Sequence, residues 1–348
     1  MDKFLLDVLV DPISKESLSL HQGIFDDFGN VLTGNLSSGN APVYPIENGI
    51  PRFVTQVTDD QQQTNESFGF KWEQTHTYSS PDLQQTAKEW LIERYGFKDE
   101  TDMKDYFGSR ELILDAGCGG GYSSFLWLED SSVSRYVGVD ISRAIDVAKK
   151  RLAVTRGRYF IQADLLKLPF GESIFDTIFS EGVLHHTPST ERALKTVVGH
   201  LKPKGEFLFY VYKKKSPIRE FTDDHIRNVI SHLSPEEAWV KIRPLTKLGQ
   251  ALAELDVTVD IPEDIPYLGI KSGAHDVQRL IYWHFAKLFW NEKFSFEENN
   301  HVNFDWYHPR YAHRQTKDGV LQWCEEAGLK IIHFNEQESG FTVRSIKE

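Results

Sequence analysis

Apolar and polar positions fall into a regular order from residue 111 onward. Short apolar runs such as Leu112-Ile113-Leu114, Tyr136-Val137 and Tyr159-Phe160-Ile161 alternate with longer stretches of helical spacing. The pattern predicts strands near 111–115, 135–140, 158–163, 174–180 and 205–212, with helices between them. Strand-length apolar runs separated by helices are what a parallel sheet requires, because each crossover must return the chain to the same end of the sheet. A ligand crevice is then expected at the carboxyl ends of the strands. The order stops after the fifth strand and resumes with a helix at 316–327 and strands at 329–335 and 340–346. Residues 213–315 are therefore an insertion over the mouth of the crevice. Upstream, an amphipathic helix near 83–95 follows a polar linker at 58–64, and residues 1–54 carry Gly and Pro turns between short strands.

The first of these strands breaks without a linker into Asp115-Ala116-Gly117-Cys118-Gly119-Gly120-Gly121. Glycines at 117, 119 and 121 remove the Cβ atoms that would hold a flat ligand off the backbone. Asp140 ends the second strand nineteen positions after Gly121, a spacing at which a carboxylate reaches ribose hydroxyls. Asp164 ends the third, where it can accept from an adenine amine. The glycine spacing is G-x-G-x-G, not the G-x-G-x-x-G of dinucleotide folds, and Asp115 faces a phosphate unfavourably. A nicotinamide enzyme is thus disfavoured, and Asp115 suits a ligand with an ammonium group unless it only caps adjacent backbone. Cys118, between two glycines, reads as a small turn residue and not a nucleophile.

Five runs occur in order: LDAGCGGG at 114–121, VGVDIS at 137–142, ADLLKLPF at 163–170, FDTIFSEGVLHHT at 175–187 and LKPKGEFLFYVY at 201–212. On these the chain resembles the class I S-adenosylmethionine (SAM)-dependent methyltransferases, specifically their small-molecule branch. The resemblance implies an α/β, Rossmann-like sheet, mostly parallel, with seven strands of which the last is antiparallel. A small β-rich N-terminal domain and a large helical insertion after the fifth strand complete the expected fold. SAM is the implied cofactor, with Gly117, Gly119 and Gly121 cradling its methionine part, Asp140 on the ribose and Asp164 with Leu165 flanking the adenine. Asp115, Ile141 and Ser180 complete the implied cofactor set.

Residues 4–14 and 44–53 resemble the small zinc-ribbon-like domain that activates or accompanies methyltransferases. That family carries a C-P-x-C pair where this chain has Asp11 and Ser14, and its second pair would fall near Ser37 and Asn40. Without thiolates, zinc binding is expected to be lost. Residues 1–54 are then a metal-free module that either stabilises the rest or recruits substrate. Residues 55–108 form a linker and helical lid, 109–212 with 316–348 the cofactor-binding core, and 213–315 a substrate-recognition insertion. In the lid, Phe70 and Trp72 shield a sulfonium and Lys71 pairs with a methionine carboxylate, or the aromatics are ordinary packing residues.

Within the insertion, Lys213-Lys214-Lys215 and Arg219 follow a strand end aimed at the crevice, either as a solvated face or as an attraction for an acidic group. Trp283, His284, Phe285, Phe289 and Trp290 suit one buried helix face. Residues 303–314 read as a proline-broken loop overhanging the cleft, with Arg310 and Arg314 as substrate-binding cations and Tyr307 or His313 as a polar positioning group. His185 and His186, after the fourth strand, are candidates for a general base, although adjacent side chains commonly diverge.

Composition narrows the partners. A net charge of −12 disfavours a chain that grips nucleic acid by its overall field. Two cysteines supply neither a disulfide framework nor a cysteine-rich zinc site, and no metal is expected. No apolar run reaches the roughly 18 residues of a membrane span, and the start lacks a signal peptide, so a cytoplasmic enzyme without a membrane partner is expected. The expected reaction is methyl transfer to an O, N or C nucleophile of a small, acidic or neutral metabolite. The alternatives are aminocarboxypropyl transfer or cyclisation with release of methylthioadenosine, or methylation of a macromolecule.

Overall fold

In the computed structural model, which describes residues 1–39, 42–55, 57–128, 133–153 and 156–348, a short helix α1 (Lys3–Val8) precedes four antiparallel strands. These are β1 (Ser19–Phe25), β2 (Val31–Ser37), β3 (Tyr44–Glu47) and β4 (Ile50–Pro51), paired in chain order. Asp11 closes the turn at 11–14 by accepting from Ile13 N at 2.9 Å and Ser14 N at 2.7 Å, and takes the Tyr44 hydroxyl at 2.8 Å. Ser37 ends β2, and Asn40 lies outside the described residues. The inner face of this sheet does not form a core of its own. Leu5, Leu9, Leu36, Tyr44, Ile46 and Phe53 lie in the same apolar cluster as Leu114, Val137 and Ile161. Phe53 N donates to Gln162 O at 2.7 Å, and the Arg52 guanidinium holds both oxygens of Asp146, at 2.7 and 2.9 Å.

Three helices follow: α2 (Asp59–Glu73), α3 (Pro81–Tyr95) and α4 (Glu100–Gly108). The stretch expected as a polar linker is the start of α2. Thr58 and Gln61 form a reciprocal capping box there, which satisfies first-turn N–H groups that would otherwise lack partners.

The main sheet comprises β5 (Leu112–Ala116), β6 (Arg135–Asp140), β7 (Arg158–Gln162), β8 (Phe175–Glu181) and β9 (Leu201–Tyr212), then β12 (Leu329–Glu336) and β13 (Gly340–Lys347). Between them the insertion adds the two-stranded ribbon β10 (Thr258–Ile261) and β11 (Gly273–Asp276). The order across the main sheet is β12-β13-β9-β8-β5-β6-β7. Strands β5 to β9 run parallel, and β13 runs antiparallel to both its neighbours, the reversed last strand that was expected. Every residue of β5 is buried, as befits a central strand covered on both faces. The covering helices are α5 (Tyr122–Leu128), α6 (Ala144–Leu152) and α7 (Thr190–Gly199).

The insertion leaves the sheet at Lys213 and returns at Gln315, and these two residues bridge side by side. It carries α8 (Pro217–Ile230), α9 (Pro235–Glu254), α10 (Val277–His284) and α11 (Phe296–Tyr307), before α12 (Lys317–Glu326) rejoins the core. Two sequence expectations are corrected here. Phe289 and Trp290 do not continue the helix of Trp283, because α10 ends at His284 and the following backbone is held by side chains: Asn303 accepts from Phe289 N at 2.9 Å and Gln278 donates to Leu288 O at 2.7 Å. Residues 303–307 are not loop but the last turns of α11, begun by a Ser295–Glu298 capping box. No helix among the described residues is long and apolar enough to cross a membrane.

Candidate functional site

The carboxyl ends of β5, β6, β7 and β8 open on a cleft of about 250 Å³. Its floor is the glycine turn. Gly117 and Gly119 hold φ of +87° and +52°, where a side chain is strained. A Cβ at Gly117 would lie 2.1 Å from Val183 Cγ1, and one at Gly119 would lie 2.5 Å from Trp72 Nε1. Gly121 serves differently from the expectation. It does not line the cleft but lets the start of α5 approach Ala148 and Leu152 of α6.

Four acids at strand ends line this cleft, Asp115, Asp140, Asp164 and Glu181, the last of them paired with Arg94 at 2.9 Å. Asp140 is tied to the turn, accepting from Gly119 N at 2.8 Å, from Ser142 N at 2.8 Å and from Ser142 Oγ at 2.6 Å. Burial raises its carboxyl, and the Ser142 and Gly119 bonds and the Lys71 charge pull it back. Asp164 accepts from Leu166 N at 2.9 Å and from Gln61 Nε2 at 3.2 Å. Asp115 accepts from Tyr136 Oη at 2.8 Å and closely from Ser124 Oγ, and burial nonetheless pushes it up to about 7. Ile141 and Leu165 supply apolar wall, whereas Ser180 is buried behind it, donating to Ala116 O at 2.8 Å, and does not reach the cleft.

One face of α2 covers the cleft in the segment expected as a lid. Gln61, Thr64, Phe68, Lys71 and Trp72 line the cleft at spacings of three and four, the period of a helix. Phe70 is therefore the wrong aromatic. Two residues along a helix is about 200° of rotation, so Phe70 turns away from Phe68 and Trp72 and packs on Trp239 and Phe304. The Lys71 ammonium lies 4.3 Å from the Trp72 ring centre and pairs with Asp305 at 2.5 Å. Asp305, on α11, passed unnoticed in the sequence. Lys71 holds its carboxyl well below the usual range in spite of burial.

The two histidines diverge. His185 is fully buried, its ring 3.7 Å from that of Tyr212, and neither ring nitrogen has a hydrogen-bond partner among the described residues. Burial drives it well below its ordinary value, and it does not line the cleft, so a base role for His185 is corrected to packing. His186 does line the cleft, with Nδ1 2.6 Å from the Tyr311 carbonyl oxygen. A carbonyl only accepts, so Nδ1 carries the proton and Nε2 keeps its lone pair. Burial lowers this imidazole to about 4.

Residues 114–209 match the profile of a family described as a methyltransferase domain. Residues 114–209 form a class I SAM-dependent methyltransferase domain. Among curated relatives, the chain is 30% identical over 131 residues to the phthiotriol/phenolphthiotriol dimycocerosates methyltransferase 1 of Mycobacterium ulcerans, covering 37% of this chain and 48% of that protein. It is 34% identical over 107 residues to the tRNA (carboxymethyluridine(34)-5-O)-methyltransferase of Arabidopsis thaliana, covering 30% and 24%. The solved N-methyltransferase NodS of Bradyrhizobium japonicum in complex with S-adenosylhomocysteine (SAH) aligns over 82% of this chain and 98% of its own at TM-score 0.43 and 12% identity. The chain spans half or less of the length of the curated relatives it matches.

SAM is the cofactor of this methyltransferase domain, and the side chains present fit it. Asp140 and Asp164 are acceptors suited to ribose hydroxyls and an adenine amine, and Phe68, Trp72 and Tyr122 offer ring faces suited to a sulfonium. The pairing expected between Asp115 and the cofactor's ammonium carries a pH signature. Free, Asp115 is protonated below about 7. A bound ammonium favours the carboxylate, so binding releases a proton and SAH affinity is expected to rise with pH up to about 7 and then level. Calorimetry between pH 5 and 8 checks this; D115N should bind with a flatter profile, and an equally steep one would refute the pairing.

Beside the cleft of the methyltransferase domain lies a second cavity of about 670 Å³, roofed by the insertion and sharing Lys71, Trp72, Tyr210, Tyr212 and Asp305 with it. Of the expected substrate cations, Arg219 lines this cavity, but its guanidinium is held by Asp223 at 2.7 Å and by the Tyr282 carbonyl. Arg310 and Arg314 line neither cavity. Arg310 pairs with Asp60 at 3.1 Å, which ties the insertion to α2, and Arg314 pairs with Glu220 at 2.9 Å and Asp224 at 2.7 Å, which ties the end of the insertion to its own α8. Tyr307 donates to Asp223 at 2.9 Å from inside the core. His313 is exposed, and its backbone N–H donates to His185 O at 2.9 Å. Neither Tyr307 nor His313 faces a cavity, because α11 and the loop after it present their other sides.

Proposed function

We propose that the chain is a SAM-dependent methyltransferase whose acceptor is a small molecule held in the second cavity and methylated on oxygen, nitrogen or carbon. The wall shared by the two cavities carries this reading, since a group lying there touches both. SAM, when bound, supplies an electrophilic methyl carbon. The protein's own task is then to orient a nucleophile and exclude water. Tyr210, Tyr212 and Trp72 form an aromatic collar at the shared wall, and His186, neutral at pH 7, leaves Nε2 free to accept the nucleophile's proton. The net charge of −12 and the roofed cavity favour a small acceptor over RNA.

The test is incubation with methyl-labelled SAM and, in parallel, a metabolite extract and total tRNA. The reading expects label in a small molecule with release of SAH. Label in RNA would overturn the acceptor class, and release of methylthioadenosine would overturn the reaction.

A further inference from the structure

The second cavity carries more positive charge than its own acids neutralise. Lys71 is tied to Asp305 and Arg94 to Glu181, and Arg219 is saturated by Asp223. Lys215 and Lys287, which line the same cavity, form no ion pair among the described residues; the acids acting on them from farther off are Glu338 on Lys215, and on Lys287 Asp305 and Asp223, which are already paired with Lys71 and Arg219. The Lys215 ammonium is enclosed and has no hydrogen-bond partner among the described residues, resting 5.4 Å from the centre of the Trp283 ring. Lys287 is 8% exposed, and its ammonium lies 4.3 Å from the Trp306 ring with no ion pair among the described residues. Arg279 adds a further cation to this wall. The lining acids without an ion pair among the described residues, Glu93 and Glu338, belong to exposed residues, and Glu93 accepts from Gln337 at 2.9 Å.

A desolvated ammonium without a counter-ion is unfavourable, and two near each other are more so. Burial accordingly pushes both lysines down to about 7, and the Lys287 charge is among the causes acting on Lys215. An oxyanion arriving here would satisfy both at once, in a site where its attraction is weakly screened. We infer that this end of the cavity is an anion subsite and that the acceptor carries a carboxylate or phosphate held by Lys215 and Lys287. This rests on the reading that the acceptor occupies the second cavity. Within it, the anionic end is set by the insertion and the reacting end by the wall shared with the cofactor cleft.

Trp283 and Trp306 lie against the two ammonium groups, so tryptophan fluorescence reports on the subsite. The experiment titrates the SAH-saturated chain with sodium phosphate and, separately, sodium succinate, at constant ionic strength set with sodium chloride. A saturable change with either anion is expected, and the anion that binds more tightly distinguishes phosphate from carboxylate. K215M and K287M should each bind it at least tenfold more weakly, K215R should retain most of the affinity, and SAH affinity should be unchanged in all three. No saturation by either anion in a wild-type chain that binds SAH, or lysine variants that bind as the wild type does, would overturn the subsite while leaving the methyltransferase reading intact. A wild-type chain that does not bind SAH would overturn both.

Discussion

D140A is expected to weaken SAH binding about a hundredfold, roughly 3 kcal/mol. Asp140 is at once a ligand candidate and a part of the turn that receives the ligand. Its Oδ2 satisfies Gly119 N and its Oδ1 satisfies two groups of Ser142. Removing the carboxylate leaves buried donors without partners, each unfavourable by about 1–3 kcal/mol, and loosens the glycine turn that floors the cleft. D140N keeps one acceptor oxygen and the side-chain volume, so its loss should be nearer tenfold. Calorimetric SAH affinity with circular dichroism as a fold control decides the matter, and wild-type affinity in D140A would exclude the assigned role.

D305N is expected to destabilise the chain by about 3 kcal/mol, the low end for breaking a buried ion pair, because the Lys71 and Asp305 side chains are 10% and 19% exposed. The amide leaves the Lys71 ammonium without its counter-ion, and also weakens the hydrogen bond that Tyr212 Oη donates to Asp305 Oδ2 at 3.3 Å. K71M should be destabilising as well, whereas K71M/D305N, with no orphaned charge, should recover most of the loss. Chemical denaturation of the four proteins gives the coupling directly. Additive losses in the double variant would mean that the two residues do not act as a pair.

The sheet and the cofactor cleft were legible because their signals are local. Apolar runs of strand length, glycines in a fixed turn and acids at strand ends need no knowledge of the rest of the fold. The two helices that complete the site were hidden for one physical reason. The face of α2 that lines the cleft alternates Gln61, Thr64, Phe68 and Lys71, and α11 buries Glu298, Asn299, Asn300, His301 and Asn303, so neither has an apolar stripe to read. Their interiors are polar and are satisfied by hydrogen bonds, as when Asn299 donates to three carbonyls at 3.0–3.1 Å. Only the capping pairs Thr58 with Gln61 and Ser295 with Glu298 announced these helices. The lysine run behaves the same way. Lys213 pairs with Glu336 at 2.9 Å, Lys214 is exposed and Lys215 is enclosed, a division that depends on where the insertion folds back.

The N-terminal sheet contributes Leu36, Ile46 and Phe53 to the same apolar cluster as the parallel strands. A sheet that has no core of its own has no stable detached state, and being on the same chain it is present at one copy per active site. Dilution therefore cannot strip it away, and catalysis per chain should hold constant as the protein concentration falls.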